Sequence, residues 1–265
     1  PRSTLFPYTT LFRSIGTLGG GNHFIEIQKG SDGNIWIMIH SGSRNLGKQV
    51  ADYYNKIAIE LNRKWKSEIL KEWQLAYLPV ASKEGKMYFN EMQYCVDFAY
   101  AIRRLMMERI MNIFEVECSC SFEKFMGNYI TNIAHNYACE EIHFQEKVLI
   151  HRKGATLATE NTIGIIPGSQ GTKSYIVKGK GNKDSFMSCS HGAGRKMGRN
   201  EAIRKLNFDE EKKKLDEQGI IHAIRNQRDL EEASGAYKDI NIVMENQSDL
   251  VEILIELQPL AVIKG

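Results

Sequence analysis

Cysteine is sparse and irregular in this chain. The five thiols, Cys95, Cys118, Cys120, Cys139 and Cys189, form no CxxC pair and no repeating framework. An odd count with such spacing excludes a disulfide scaffold and a zinc ribbon, and favours reduced thiols in a cytosolic compartment. Long apolar runs are also missing, so no segment reaches the length that spans a bilayer. The first residues lack the apolar stretch ending in small residues that marks an export signal. Cytoplasmic is the reading that follows. Charge of one sign is lacking too: a formal net charge of +3 does not announce a nucleic-acid binder. Binding to a polyanion would require the 35 basic residues to cluster on one face. No internal repeat and no low-complexity linker divides the chain. What remains is the composition of a globular protein, 42% hydrophobic and 25% charged, with 265 residues available to build a sizeable core.

The opening is foreign in character. Residues Thr4 to Ser14 read TLFPYTTLFRS, which looks like the conceptual translation of a sequencing adapter. Residues 1–14 are therefore set aside as a non-native segment, and the protein proper is expected over 15–265 without its N-terminal part.

From Ile15 a glycine-rich turn, GTLGGGN, leads into the alternating run HFIEIQ, which predicts a strand. After the turn Gly30 to Asn34, IWIMIH predicts a second strand ending at His40, and the two make a hairpin with a longer loop. Val50, Tyr54, Ile57 and Leu61 recur at helical spacing and predict a helix from about Lys48 to Trp65. A second helical pattern runs from about Glu91 to Phe114, and a third from about Phe122 to Cys139. The second half changes to short strand-like runs, KVLIHR, IGIIP, SYIVKG and SFMSCS, separated by glycine turns. Asp209 to Asp216 reads as an exposed helix or loop, and LVEILIELQPLAVIKG as helix followed by strand. The sum is one α+β domain of mixed sheets with flanking helices.

Four histidines stand in polar, glycine-flanked contexts: His23, His40, His135 and His191. Strand ends and glycine loops present imidazoles with little steric cover, which suits metal ligation or nucleophilic chemistry; each alone also fits a structural role. Imidazoles without thiolates suit several metals, so spacing does not name one. Pro167 to Tyr175, PGSQGTKSY, offers small residues and hydroxyls as an anion nest or as a plain turn, and lacks the P-loop pattern. In SHGAGRKMGR, glycines let a bulky group approach His191, and Arg195 and Arg199 supply charge for phosphate. HRKGAT adds Arg152 and Lys153 beside Gly154. A histidine nucleophile, phosphate-binding loops and a metal describe phosphoryl or nucleotidyl transfer.

Together GGGNHFIE, HSGSR, AHN, HRKGAT, GSxGT, SHGAGR and a C-terminal VIKG resemble, in order, the motifs of the RtcB RNA ligases, from Gly19 to Gly265. The resemblance implies an RtcB-like domain with a central metal and nucleotide cleft. It implies a GTP- and manganese-dependent enzyme that joins RNA 3′-phosphate or 2′,3′-cyclic phosphate ends to 5′-hydroxyl ends. By it, His191 becomes the guanylated nucleophile, and His23, His40 and His135 hold two Mn2+ ions. Asn22, Glu26, Asn136, Ser169, Ser174, Gly192, Ala193 and Gly194 match nucleotide contacts, with Tyr237 packing near guanine and Lys264 contacting the base. Arg44 and Arg195 match groups that hold RNA or nucleotide phosphates. The implied partners are broken RNA or tRNA halves, GTP, and an archease-type activator, with no membrane.

Two departures accompany the resemblance. Family members carry an N-terminal DxxC motif whose cysteine bridges the two manganese ions; here Asp32 and Asp97 have no cysteine three residues on, and no cysteine precedes His23. That segment is expected to be cut off with roughly the first third of the family's length, leaving this chain poor in metal binding and inactive in catalysis. Gln170 stands where many members have methionine, beside the nucleotide loop. Two other classes compete: a metal-dependent phosphatase or phosphodiesterase, expected to carry more aspartate ligands, and a non-catalytic RNA-binding remnant, which the truncation makes realistic; the aromatic stacking motifs of a dedicated RNA-binding module are absent.

Overall fold

The computed structural model describes residues 14–119 and 131–265. Its elements are mixed α and β, and the chain divides into two compact units, one holding 42–105 and the other 18–41 with 106–265.

The first unit is built on two helices, α1 (Leu46–Lys64) and the N-terminal part of α2 (Lys83–Cys118). α1 buries Val50 and Tyr54 as the periodicity predicts, with Leu46, Ala58 and Asn62, while Leu61 is only part-buried; Leu46, Val50 and Tyr54 pack with Cys95, Ile57, Leu78, Tyr88 and Phe98. Ser43 starts the helix, its Oγ accepting from the Gly47 amide at 2.9 Å and so satisfying one of the orphan donors of the first turn.

The second unit carries the sheet. Strands β1 (Phe24–Gly30) and β2 (Ile35–His40) form the expected hairpin, in register from Phe24 opposite His40 to Lys29 opposite Ile35. A two-stranded sheet follows from β3 (Asn136–His143) and β4 (Glu146–Lys153), and β5 (Ala155–Leu157) pairs with β8 (Ser188–Ser190). Strands β6 (Ile163–Ile166) and β7 (Ser174–Gly179) make a second hairpin. Helices α3 (Arg199–Lys205), α4 (Phe208–Glu217) and α5 (Ile240–Glu245), the short strand β9 (Ile221–His222) and the long β10 (Val251–Lys264) complete the unit. The main sheet runs β2-β1-β10-β7-β6, with β9 also paired to β10.

Two expectations fail. The C-terminal stretch is one 14-residue strand rather than helix then strand. Pro259 would break a helix interior; in the strand it lies opposite Gln28, where the register shifts and a missing N–H is tolerated. The third helix is also not found where it can be followed. Residues 131–135 are irregular and Asn136 begins β3, while the remainder of that stretch, 120–130, lies outside the described residues. The charged stretch Asp209 to Asp216 is helical, started by Asn207, whose side chain accepts from the Glu210 amide at 3.1 Å, and by acidic residues that suit the positive end of the dipole. It is not wholly exposed: Glu211 and Leu215 are buried, and Leu215 packs with Ile220, Ile224, Leu230 and Val262. On β7, Tyr175 and Val177 pack with Ile240 and Met244 of α5, while Ile176 alternates to pack with Met38 and Leu257.

Candidate functional site

Four strand ends deliver the four histidines. His23 precedes β1, His40 ends β2, His135 precedes β3 and His191 follows β8. Their rings form a row: 6.2 Å between the centroids of His23 and His40, 5.3 Å from His40 to His135, and 4.5 Å from His135 to His191. Phe24 stacks on His40 at 5.5 Å. The sequence separates these residues by up to 168 positions; β1–β2 pairing joins His23 and His40, and Gly154 bonds the segments of His135 and His191.

Gly154, between β4 and β5, is the junction of the row. Its amide donates to the His135 carbonyl at 2.8 Å and lies 3.2 Å from Asn136 Oδ1, and its carbonyl accepts from His191 Nδ1 at 2.7 Å. With φ +68°, and with a Cβ there destined to lie 3.3 Å from His191 Cε1, the position needs glycine. A proton on His191 Nδ1 leaves the lone pair on Nε2, the atom that attack on phosphorus requires. At the other end of the row, His23 Nδ1 bonds the Leu18 carbonyl at 3.0 Å, and Asn22 Nδ2 lies 3.2 Å from His40 Nε2.

The remaining nucleotide candidates fall around this row in different states of engagement. In the β6–β7 loop the Gly168 amide donates to Ser174 Oγ at 3.1 Å and the Ser169 amide to Thr172 Oγ1 at 2.6 Å. Those two amides are used inside the loop, as in a plain turn. The loop touches the histidine loop directly: the Ala193 amide donates to the Pro167 carbonyl at 3.0 Å, and a side chain at Gly192 would meet that same oxygen. Gly194 has φ +71°, and its carbonyl accepts from the Lys238 amide.

Arg195 and Tyr237 belong to a network centred on Glu232, which is 3% exposed. Arg195 donates to Glu232 at 2.9 Å, to Tyr237 Oη at 3.2 Å, to the Met197 carbonyl at 3.0 Å and to the Glu231 carbonyl. Its guanidinium also lies over the Tyr237 ring, 5.0 Å from the centroid. Tyr237 Oη donates to Glu232, and Arg199 pairs with the other carboxylate oxygen at 3.0 Å. Lys264 reaches the Gly21 carbonyl at 2.8 Å, and burial draws its ammonium below the usual lysine range. Arg44 lies in the first unit, in left-handed conformation at φ 53°.

Glu26, two residues into the buried stretch of β1 between Met38 and Val262, is 4% exposed, and its Oε1 has no hydrogen-bond partner. Burial pushes its carboxyl up to about 8. Gln170 is buried as well, with neither amide atom bonded.

Imidazole nitrogens are suitable donors for manganese among other metals, so the row fits in kind. It does not fit in number: among the described residues no three histidine, cysteine or acidic side chains converge on one ion position. Cys95, Cys118, Cys139 and Cys189 are free thiols, and the latter two bond Glu141 and Thr156. A cavity of about 530 Å³ opens beside Ser190 and is lined by Lys238, Asp239, Ile242, Asn246 and Gln247, beyond the row itself. Among the described residues no helix is long and apolar enough to cross a membrane.

Three contributors were not singled out from sequence: Glu232, Glu141 and the junction role of Gly154. Only the last had a signal, the glycine inside HRKGAT. Arg152 of that motif reverses its expected role. Rather than facing phosphate, its side chain is 1% exposed and pairs with Glu141.

Fold and site thus define an α+β protein that gathers imidazoles, rather than acids or thiols, where strand ends meet glycine loops. The family model described as RtcB, tRNA-splicing ligase RtcB, matches residues 8–265, and the chain belongs to that family. It is 36% identical over 262 residues to the RNA-splicing ligase RtcB of Escherichia coli K12, covering 98% of this chain and 63% of that protein. It is 32% identical over 287 residues to the tRNA-splicing ligase RtcB of Thermococcus kodakarensis, covering 95% and 59% respectively. The chain therefore spans about three fifths of the length of these relatives.

Proposed function

We propose that the whole protein is an RNA ligase that joins a 3′-phosphate or 2′,3′-cyclic phosphate end to a 5′-hydroxyl end through a guanylated His191. The observation that carries this reading is the 2.7 Å bond from His191 Nδ1 to the Gly154 carbonyl, at the end of a row of four imidazoles. It favours the tautomer that leaves the Nε2 lone pair free, as a nucleophile would need.

In this reading Nε2 attacks the α-phosphorus of GTP, a P–N bond forms, and pyrophosphate leaves. The GMP then passes to an RNA 3′-phosphate, and the 5′-hydroxyl oxygen attacks that activated end with loss of GMP. A cyclic phosphate is first opened by water. His23, His40 and His135 would hold Mn2+, two ions in the intact site, and the ions would supply charge neutralisation at the transferring phosphates. Asn22, Glu26, Asn136, Ser169, Ser174 and the Gly192–Gly194 backbone would line a nucleotide cleft, and Tyr237 and Lys264 its base end. Arg44 would meet RNA phosphate. Arg195, already bonded to Glu232, would act on phosphate through the edge it leaves exposed. Broken RNA or tRNA halves are the substrates, in the cytoplasm, with an archease-type protein as activator.

The test uses the longest reading frame containing this sequence, incubated with Mn2+ and α-labelled GTP beside His191→Ala. Label that requires manganese and vanishes in the variant is expected. A folded, manganese-loaded protein that takes no label overturns the proposal and brings a metal-dependent phosphodiesterase forward.

A further inference from the structure

The row of imidazoles depends on where three loops end, and one side chain spans the elements that set two of them. Arg152 is the last residue but one of β4, two positions before Gly154. In the β3–β4 register it stands opposite Tyr137, and Cys139 and Glu141 alternate onto the same face. Its guanidinium reaches both oxygens of Glu141, at 2.5 and 3.0 Å, and Tyr137 Oη at 3.2 Å. These bonds lock the hairpin to itself. Two more leave it: Nε donates to Ser188 Oγ at 3.0 Å and Nη2 to the Phe186 carbonyl at 3.2 Å, on the segment that leads through β8 into His191. Glu141 is saturated in turn, accepting from Cys139 Sγ at 2.9 Å and His143 Nε2 at 2.8 Å.

We infer that Arg152, held by Glu141, is a positioning residue that fixes the His191 loop against the His135 end of the β3–β4 hairpin. His135 enters β3 one residue before Asn136, and His191 leaves β8 one residue after Ser190. From the end of β4 to β8 the backbone offers the three-residue β5–β8 ladder, flanked by single bonds from the Ala158 amide to the Met187 carbonyl at 2.7 Å and from the His191 amide to the Gly154 carbonyl at 3.4 Å. A planar fork buried among fixed acceptors adds the restraint that so short a ladder lacks, because its five donors allow little rotation. An exposed cation of the same motif could not do this. The inference rests on the reading of His191 as nucleophile only for its consequence in catalysis; the geometry it concerns is present without nucleotide.

The test reads the exchange rate of the His191 Nδ1 proton with solvent by NMR, alongside thermal unfolding, and uses neither RNA nor GTP. Arg152→Met alone strands a buried carboxylate, whereas Glu141→Gln with Arg152→Met removes both charges and is expected to regain stability. Proton exchange in that double variant is nonetheless expected to quicken by about tenfold or more, as it is in Arg152→Lys, which keeps charge but not the fork. Exchange at the wild-type rate in either folded variant overturns the inference and leaves the pair as structural glue alone. Ser188→Ala, a mild change at the receiving end, covers the case in which both fail to fold: a rise of about threefold is expected, and no rise overturns the inference. Because labelling by GTP is not involved, loss of the ligase reading and loss of this one are separable.

Discussion

Glu141 and Glu26 are both carboxylates on β-strands in the same compact unit, and the protein treats them in opposite ways. Glu141 is enclosed by donors, with Arg152 foremost, and is held down to about 2. Glu26 is more deeply buried, has an oxygen with no partner, and is pushed up to about 8. The difference is the company each keeps. One carboxylate completes a network whose parts are all present, so it works for the fold. The other is desolvated with Gln28 alone set against its burial, and an unbonded buried oxygen costs on the order of 1–3 kcal/mol. Glu26 stands three residues from His23.

The sharpest way to break the comparison is to remove the scaffold cation. Arg152→Ala should destabilise the second unit by about 3–5 kcal/mol, the usual cost of leaving one member of a buried pair without the other. Urea unfolding would measure it. Glu141 also sets a sign. Its folded value is depressed, so its contribution is fully present above the unfolded value of 4.5 and is lost as pH falls toward about 2. Acid unfolding should be steep in that window for the native protein and flatter in Glu141→Gln. An Arg152→Ala protein within 1 kcal/mol of the parent would mean that the fork is idle and the comparison empty.

Glu26 should show the opposite slope. With its folded value raised to about 8, the native state holds a proton that the unfolded chain has already released above 4.5. Stability from this residue is intact below 4.5 and falls as pH rises toward 8, by an amount on the order of 3 kcal/mol at neutral pH. Glu26→Gln should remove that slope and be the more stable protein at pH 8 by about 1–3 kcal/mol. Parallel melting curves of both proteins from pH 4.5 to 8 would show instead that Glu26 is already compensated.

Much of this contrast was invisible along the chain, for a physical reason. Period-two alternation reveals which strand face is apolar and placed β1, while the continuous apolar run IWIMIH placed β2. On β3 the pattern is inverted: Glu141 turns inward to Arg152 while Ile142 is 73% exposed. A buried polar face therefore reads as a solvated one, and NIAHNYA passes for a helix. β10 was misread because an apolar run alone does not separate helix from strand, although Pro259 could have decided it. Arg152 and Arg195 look alike in sequence, each a cation near a glycine, and only the register buries one of them.

The smallest expected effect tests whether redundancy, and not burial alone, sets the scale. Glu232 is as buried as any carboxylate here, at 3% exposure, but it has three partners: Arg195, Tyr237 and Arg199. Arg199 is the outermost, with half of its side chain in solvent and a single bond to the carboxylate. Deleting it leaves Glu232 paired with Arg195 and bonded to Tyr237, so no buried charge is stranded. Arg199→Ala should therefore cost about 1 kcal/mol or less, in the range of an exposed pair, and high salt should shrink even that. A loss approaching that of Arg152→Ala would show that each partner of a buried carboxylate is indispensable.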